Sequence, residues 1–228
     1  MTLKLSTLDK LTGLLFAGQM ILAGNTALNG PTGPIPTHFS MATGQADGWH
    51  DRTGVALAIA GMAVLGLVLA GGLGRAAANA EADGDMGRKR GLVAAQAVIL
   101  IAFTGITVLT LTVSLGAVGD RPDGPSAMMA VFGLLFAALG ALLGRVGPNP
   151  WVGVRTPWAY KSRTAWDRSN RLAGRLWFFG GIVAVGLSTV MPQPLGMQSL
   201  IGFVLVSALL AAVESWRVWR ADPDRQPF

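Results

Sequence analysis

The chain of 228 residues has no cysteine, two histidines and one tyrosine, and only 13% of its residues are charged. Without cysteine, disulfides, thiolate catalysis and cysteine-held metal are excluded. Soluble domains carry about 25% charge, so a soluble fold of this length would have too little polar surface to cover its core. No apolar run carries a central acid or base, which does not fit an ion-coupled pump. No serine stands in a recognisable nucleophile setting, and the chain is not expected to be an enzyme.

What is present is apolar: 51% hydrophobic residues with 31 glycines. The charges are bunched between long runs, the pattern of a multi-span membrane protein. Six spans are expected, at about Leu11–Leu28, Thr53–Leu73, Gly91–Ala117, Ser126–Leu143, Leu172–Met191 and Ser199–Glu214. The second, 21 residues long, gives about 31 Å of helix, enough for a ~30 Å hydrocarbon layer. The first is preceded by Lys4 and Lys10 and resembles a signal peptide, but is read as an uncleaved span because long apolar segments follow it. The expected fold is all-α and polytopic, in two membrane halves, 1–117 and 118–228.

The charge of +6 and pI near 10.8 would suggest nucleic acid in a soluble protein. Here the basic residues flank spans and are expected to set topology, not to bind nucleic acid. Lys4, Lys10, the 75–90 connector, Arg145 to Arg175 and the arginines near the C-terminus fall on one side, sixteen in all. Arg52 and Arg121 fall on the other. This bias predicts both termini in the cytoplasm of a cell whose plasma membrane holds the chain.

Polar features inside the spans are few. Gln19, Asn25 and Gln96 are the strongest, and Thr107, Thr110 and Ser114 share a face of the third span. Such hydroxyls usually bond within the bundle; lining a cavity is the alternative. Small residues at Gly133, Ala137 and Ala141, with Gly140 and Gly144, fit close helix packing. The acidic patch Glu81, Asp83 and Asp85 lacks calcium-loop spacing and reads as a solvated turn.

Two connectors stand out. The outer one, 29–52, holds both histidines among Pro31, Pro34 and Pro36, and reads as an ordered loop. His38 and His50 with Asp47 or Asp51 are the only cluster able to hold zinc, but the spacing is irregular, and a loop-ordering histidine is the simpler reading. No cofactor is expected. The inner connector, 146–171, holds three of the seven tryptophans and the only tyrosine. Gly153 permits unusual backbone, Pro157 fixes the chain before Trp158, and the planar fork of Arg155 suits a carboxylate, a phosphate or free carbonyls. Trp158 and Trp166 suit the headgroup level. A basic, lipid-lying loop that seals the bundle base and a dedicated binding site are both open readings.

The run PNPWVGVRTPWAYKSRTAWDRSNRLAGR, followed by LWFFGG, resembles the signature of the bacterial SdpI immunity-protein family. The pattern is Asn149, Gly153, Arg155, Thr156, Pro157, Trp158, Trp166 and Arg171. It departs at Asn170, where a histidine is expected, so no proton or metal chemistry of relatives transfers to that position. The outer run IPTHFSMATGQADGW resembles a short domain of unknown function found at the start of many such proteins, through Ile35, Pro36, His38, Phe39, Gly44, Asp47 and Gly48. The resemblance implies an integral membrane protein that protects a bacterium from a secreted, membrane-active peptide and signals to a cytoplasmic regulator. The competing reading is a small transporter or efflux component for a neutral or amphipathic substrate. A third is a structural membrane subunit.

Overall fold

The second long helix shows how the sequence packs. Ala56, Ala63, Ala70 and Ala77 recur every seventh residue and are buried, while Leu57, Leu65 and Val68 are exposed. In water the large residues would turn inward. In lipid they face the tails, and small residues let helices approach closely. The chain is thus a polytopic all-α membrane protein.

The structure, a computed structural model, describes residues 5–116 and 124–226. Lys4, Arg121, the turn before Gly124, the 117/118 boundary of the two halves, and the side chains of Thr112 and Ser114 lie outside the described residues. The elements run α1 (Thr7–Asn29), β1 (Ile35–Phe39), β2 (Ala46–His50), α2 (Arg52–Ala82), α3 (Met86–Gly116), α4 (Gly124–Leu143), α5 (Pro157–Tyr160), α6 (Arg163–Leu187) and α7 (Leu195–Ala221). Among the described residues, five helices are long and apolar enough to cross a membrane: α1, α2, α3 through Leu111, α4 and α7.

The sixth expected span, α6, is not among them, because its first four turns carry Arg163, Arg168, Arg171 and Arg175. It packs antiparallel to α4 and α7. Gly140 lies against Gly174 and Gly133 against Gly181, while Ala173 meets Ala211 and Ala184 meets Leu200. A Cβ on Gly140 would stand 2.6 Å from the Gly174 carbonyl oxygen, and one on Gly133 2.7 Å from that of Gly181. The glycine stripe therefore serves contact within the bundle.

Helices α1, α2 and α3 form the other half. Phe16 packs edge-on to Phe103, with ring centroids 5.8 Å apart, and shares a core with Ala63, Ala70 and Leu100. The polar residues of these spans are used inside it. Gln96 Nε2 donates to Asp9 Oδ1 at 3.0 Å, and Gln19 donates to the Phe103 carbonyl and to Thr107. Thr104, Thr107 and Thr110 each donate to the carbonyl four residues earlier, so the described hydroxyls bond back to their own helix.

Three boundaries differ from the sequence expectation. The polar 75–90 connector is almost wholly helix, and its solvated turn shrinks to Asp83–Asp85. Charge ends a membrane span without ending a helix, and Asp85 caps α3 by accepting from Arg88 N–H at 2.9 Å. The connector expected as an ordered loop is a hairpin: β1 and β2 pair antiparallel, with Ile35 opposite His50 and Pro36 opposite Trp49. Proline, glycine and aspartate are poor strand residues and hid it. The inner connector ends at Ser162, which caps α6 by accepting from Ala165 N–H at 2.9 Å, so Trp166, Asn170 and Arg171 are helical.

Candidate functional site

The two motifs sit at opposite ends of the bundle. The hairpin lies against the start of α2, with Ile35, Val55, Ile59 and Ala23 in one cluster. The 146–171 segment lies at the start of α3, where Gly91 faces Asn149 and Trp151. Lys10, Arg75, Arg88 and Arg217 are at that second end, because α1 and α3 begin there and α2 and α7 finish there.

The inner segment is built around two asparagines. Asn149 Oδ1 accepts from the N–H groups of Trp151 and Val152, each at 2.8 Å. Its Nδ2 donates to the carbonyls of Gly147 and Val152. One short side chain thus satisfies four backbone groups of a tight turn. Asn170, buried on α6, accepts from Val154 N–H at 2.8 Å and donates to the Trp166 carbonyl at 2.9 Å. Gly153 passes between them at φ +130°, a conformation that glycine alone adopts readily. Trp166 is fully buried, and its indole N–H donates to the Val146 carbonyl at 2.8 Å.

The remaining motif residues join this frame. Arg155 Nη1 donates to the Pro150 carbonyl at 2.7 Å while the side chain stays exposed. Thr156 caps α5 by accepting from Ala159 N–H, with Pro157 at the first helical position. Its hydroxyl also meets that of Ser215 on α7 at 2.6 Å. Trp158 is half-buried on α5. Ser162 donates to Asp222, just past α7. That bond, helped by the Asp224 backbone N–H, holds the Asp222 carboxyl below its ordinary value.

The segment is therefore a folded cap with its own core, in which Val152 and Val154 pack on Leu143, Ala173 and Ala211. Trp166, expected at the headgroup level, is instead its central side chain. The structure brings Asn149, Gly153, Arg155, Thr156 and Trp166 together with Asn170. Arg171 stands apart, on the exposed face of α6, paired loosely with Asp167 at 3.9 Å. Asn170, Ser162 and Ser215 were missed as partners: the sequence marks Asn170 only as a departure from histidine, and nothing local marks the two serines. The cap exposes Trp151, Tyr160 and Arg155, an aromatic and basic surface able to hold a peptide or an anionic group.

In the hairpin, His38 pairs with Asp47, His50 Nδ1 meets Thr37 Oγ1 at 2.8 Å, and Asp51 caps α2 by accepting from Gly54 N–H. Each thus has a partner within the hairpin or the helix start. Gly48 lies under His38, where a Cβ would come within 3.0 Å of the His38 Cβ. Phe39 packs over Gly124 at the start of α4, and Gly44, at φ +71°, rests on Pro194 between α6 and α7. Pro36 stays within the pairing. Among the described residues no group of three or more His, Cys, Asp or Glu converges as a metal site would require.

Comparison with curated proteins and with solved structures gave no match. Residues 145–215 match the model of the SdpI/YfhL protein family. The matched region begins at Arg145, so the hairpin lies outside it and its own resemblance rests on its own residues. The match takes in the whole cap, α6 and most of α7, and through this C-terminal region the chain carries the SdpI/YfhL family pattern.

Proposed function

We propose that this protein protects a bacterial cell against a secreted, membrane-active peptide, with the outer hairpin meeting the peptide and the inner cap meeting a cytoplasmic regulator. The observation that carries this reading is that the family match begins with the folded cap, which exposes Arg155, Trp151 and Tyr160, and runs on through the two helices that hold it. The reading places the chain in the plasma membrane with six crossings and both termini in the cytoplasm. Support comes from the concentration of arginine and lysine at the cap end. It also comes from α6 running antiparallel between two helices that each suit a membrane. No enzymatic step, metal or cofactor is part of it.

The transporter reading draws no support from the third span, whose described hydroxyls bond to their own helix or to Gln19. The test is deletion of the gene followed by challenge with peptides secreted by the same cell. Loss of survival that the intact gene restores is the expected result. Equal survival of deleted and intact cells against every secreted fraction would remove the immunity reading.

A further inference from the structure

One face of α6 and α7 changes character from end to end. At the cap end, Arg168, Arg171 and Arg175 recur at i, i+3 and i+7 on α6. With Arg217 of α7 they line an open cleft of about 810 Å³. Two carboxylates share it: Asp167, 3.9 Å from Arg171, and Glu214, 2.8 Å from Arg217. Among the described residues neither Arg168 nor Arg175 has an ion-pair partner. Four guanidinium groups against two carboxylates leave the cleft cationic.

The cleft does not end in solvent. Arg175 also lines a second groove, of about 580 Å³, which runs on past Leu176, Phe179, Val183 and Leu187, with Phe203 on the α7 side. Phe179 and Val183 are well exposed there. From Arg175 to Leu187 is 12 residues, about 18 Å of helix, close to half of a ~30 Å hydrocarbon core. A cationic mouth at the membrane edge, opening into an apolar channel one leaflet long, has the shape and chemistry of a phospholipid.

We propose that this face binds one anionic phospholipid, its phosphate among Arg168, Arg175 and Arg217 and an acyl chain along Phe179, Val183 and Leu187. A guanidinium takes phosphate oxygens in pairs, and basic pockets between helices at the membrane edge suit anionic headgroups. A free phosphate would use the cleft and leave the groove empty. A zwitterionic lipid would use the groove but bring a cation to the arginines.

The test is native mass spectrometry of the full chain, released from bilayer discs of equimolar phosphatidylglycerol and phosphatidylcholine. The wild type is expected to retain phosphatidylglycerol at least tenfold over phosphatidylcholine. Arg168→Gln with Arg175→Gln should bring the ratio within about twofold of unity. Val183→Trp, which fills the groove and leaves the arginines in place, should lower retention of both lipids. Arg88→Gln with Arg90→Gln, at the same end but outside the cleft, should leave the ratio unchanged. Equal retention by the wild type would overturn the proposal. So would an equal loss in the Arg88 and Arg90 variant, or displacement of the lipid by inorganic phosphate at millimolar concentration.

Discussion

Gly153 and Asn170, seventeen residues apart in sequence, are in contact across the turn that leads into α6. A Cβ on Gly153 would stand 2.7 Å from Asn170 Oδ1 and 2.9 Å from the Trp166 ring. The same Oδ1 accepts from the next residue, Val154, at 2.8 Å. The cap is folded around this contact.

Gly153→Ala therefore meets two obstacles, a positive φ and an occupied space. Each costs about 1–3 kcal/mol. The expected result is a markedly lower unfolding midpoint of the purified protein in detergent. Asn170→Leu keeps the branched shape but leaves the partly buried Val154 N–H unpaired, at about 1–3 kcal/mol. A midpoint unchanged in both variants would show that the cap is not built on this contact.

Arg155→Ala removes an exposed side chain whose one described bond is to the Pro150 carbonyl. It is expected to cost about 1 kcal/mol or less in stability while abolishing protection against the peptide. Trp158→Ala should do the same to protection while leaving membrane insertion intact. Survival assays beside quantified membrane-fraction protein separate the two effects. Full protection in either well-expressed variant would take the cap out of the function.

The Ser162–Asp222 bond makes the cap's hold on the end of α7 sensitive to acid. Asp222 is shifted below its ordinary value when folded, so its contribution is present above about pH 4, the unfolded value, and is lost as pH falls through the lower folded value. Amide exchange of the 157–165 region, taken relative to the unstructured rate at each pH, should quicken on acidification through that window. Ser162→Ala should show the faster rate already at neutral pH. A rate independent of both pH and Ser162 would contradict the bond's role.

The natural absence of cysteine makes topology directly measurable. Ala42→Cys at the hairpin turn and Arg163→Cys at the start of α6 are both exposed positions. A membrane-impermeant thiol reagent applied to whole cells is expected to label the first and not the second. Labelling of both, or of the second alone, would overturn the orientation.

Much of this fold was legible because a membrane simplifies the choices: long uncharged runs have to be helices. Boundaries were less legible, since hydropathy marks where lipid ends and a helix can run on, as α2 does to Ala82 and α3 does from Met86. The hairpin was hidden by residues poor in strand propensity, held in place by packing of Ile35 and Phe39 onto helices. In the cap, Gly153 was visible as a site of unusual backbone, while Asn149 and Thr156 were marked only by the motif, not as the turn and capping residues they are. Trp166 was misplaced because an indole beside basic residues looks interfacial whether it faces lipid or a core. Ser215 could not be found, since its partner Thr156 lies 59 residues away.

Helix α7 holds both motifs at once. Near its start, Gln198 donates to the Met41 carbonyl at the hairpin turn, at 2.8 Å. Near its other end, Ser215 meets Thr156 of the cap at 2.6 Å. The two attachment points are 17 residues apart, about 26 Å along a continuous helix. One continuous helix therefore fixes the distance between the hairpin turn and the cap, and the two motifs hang on a single strut.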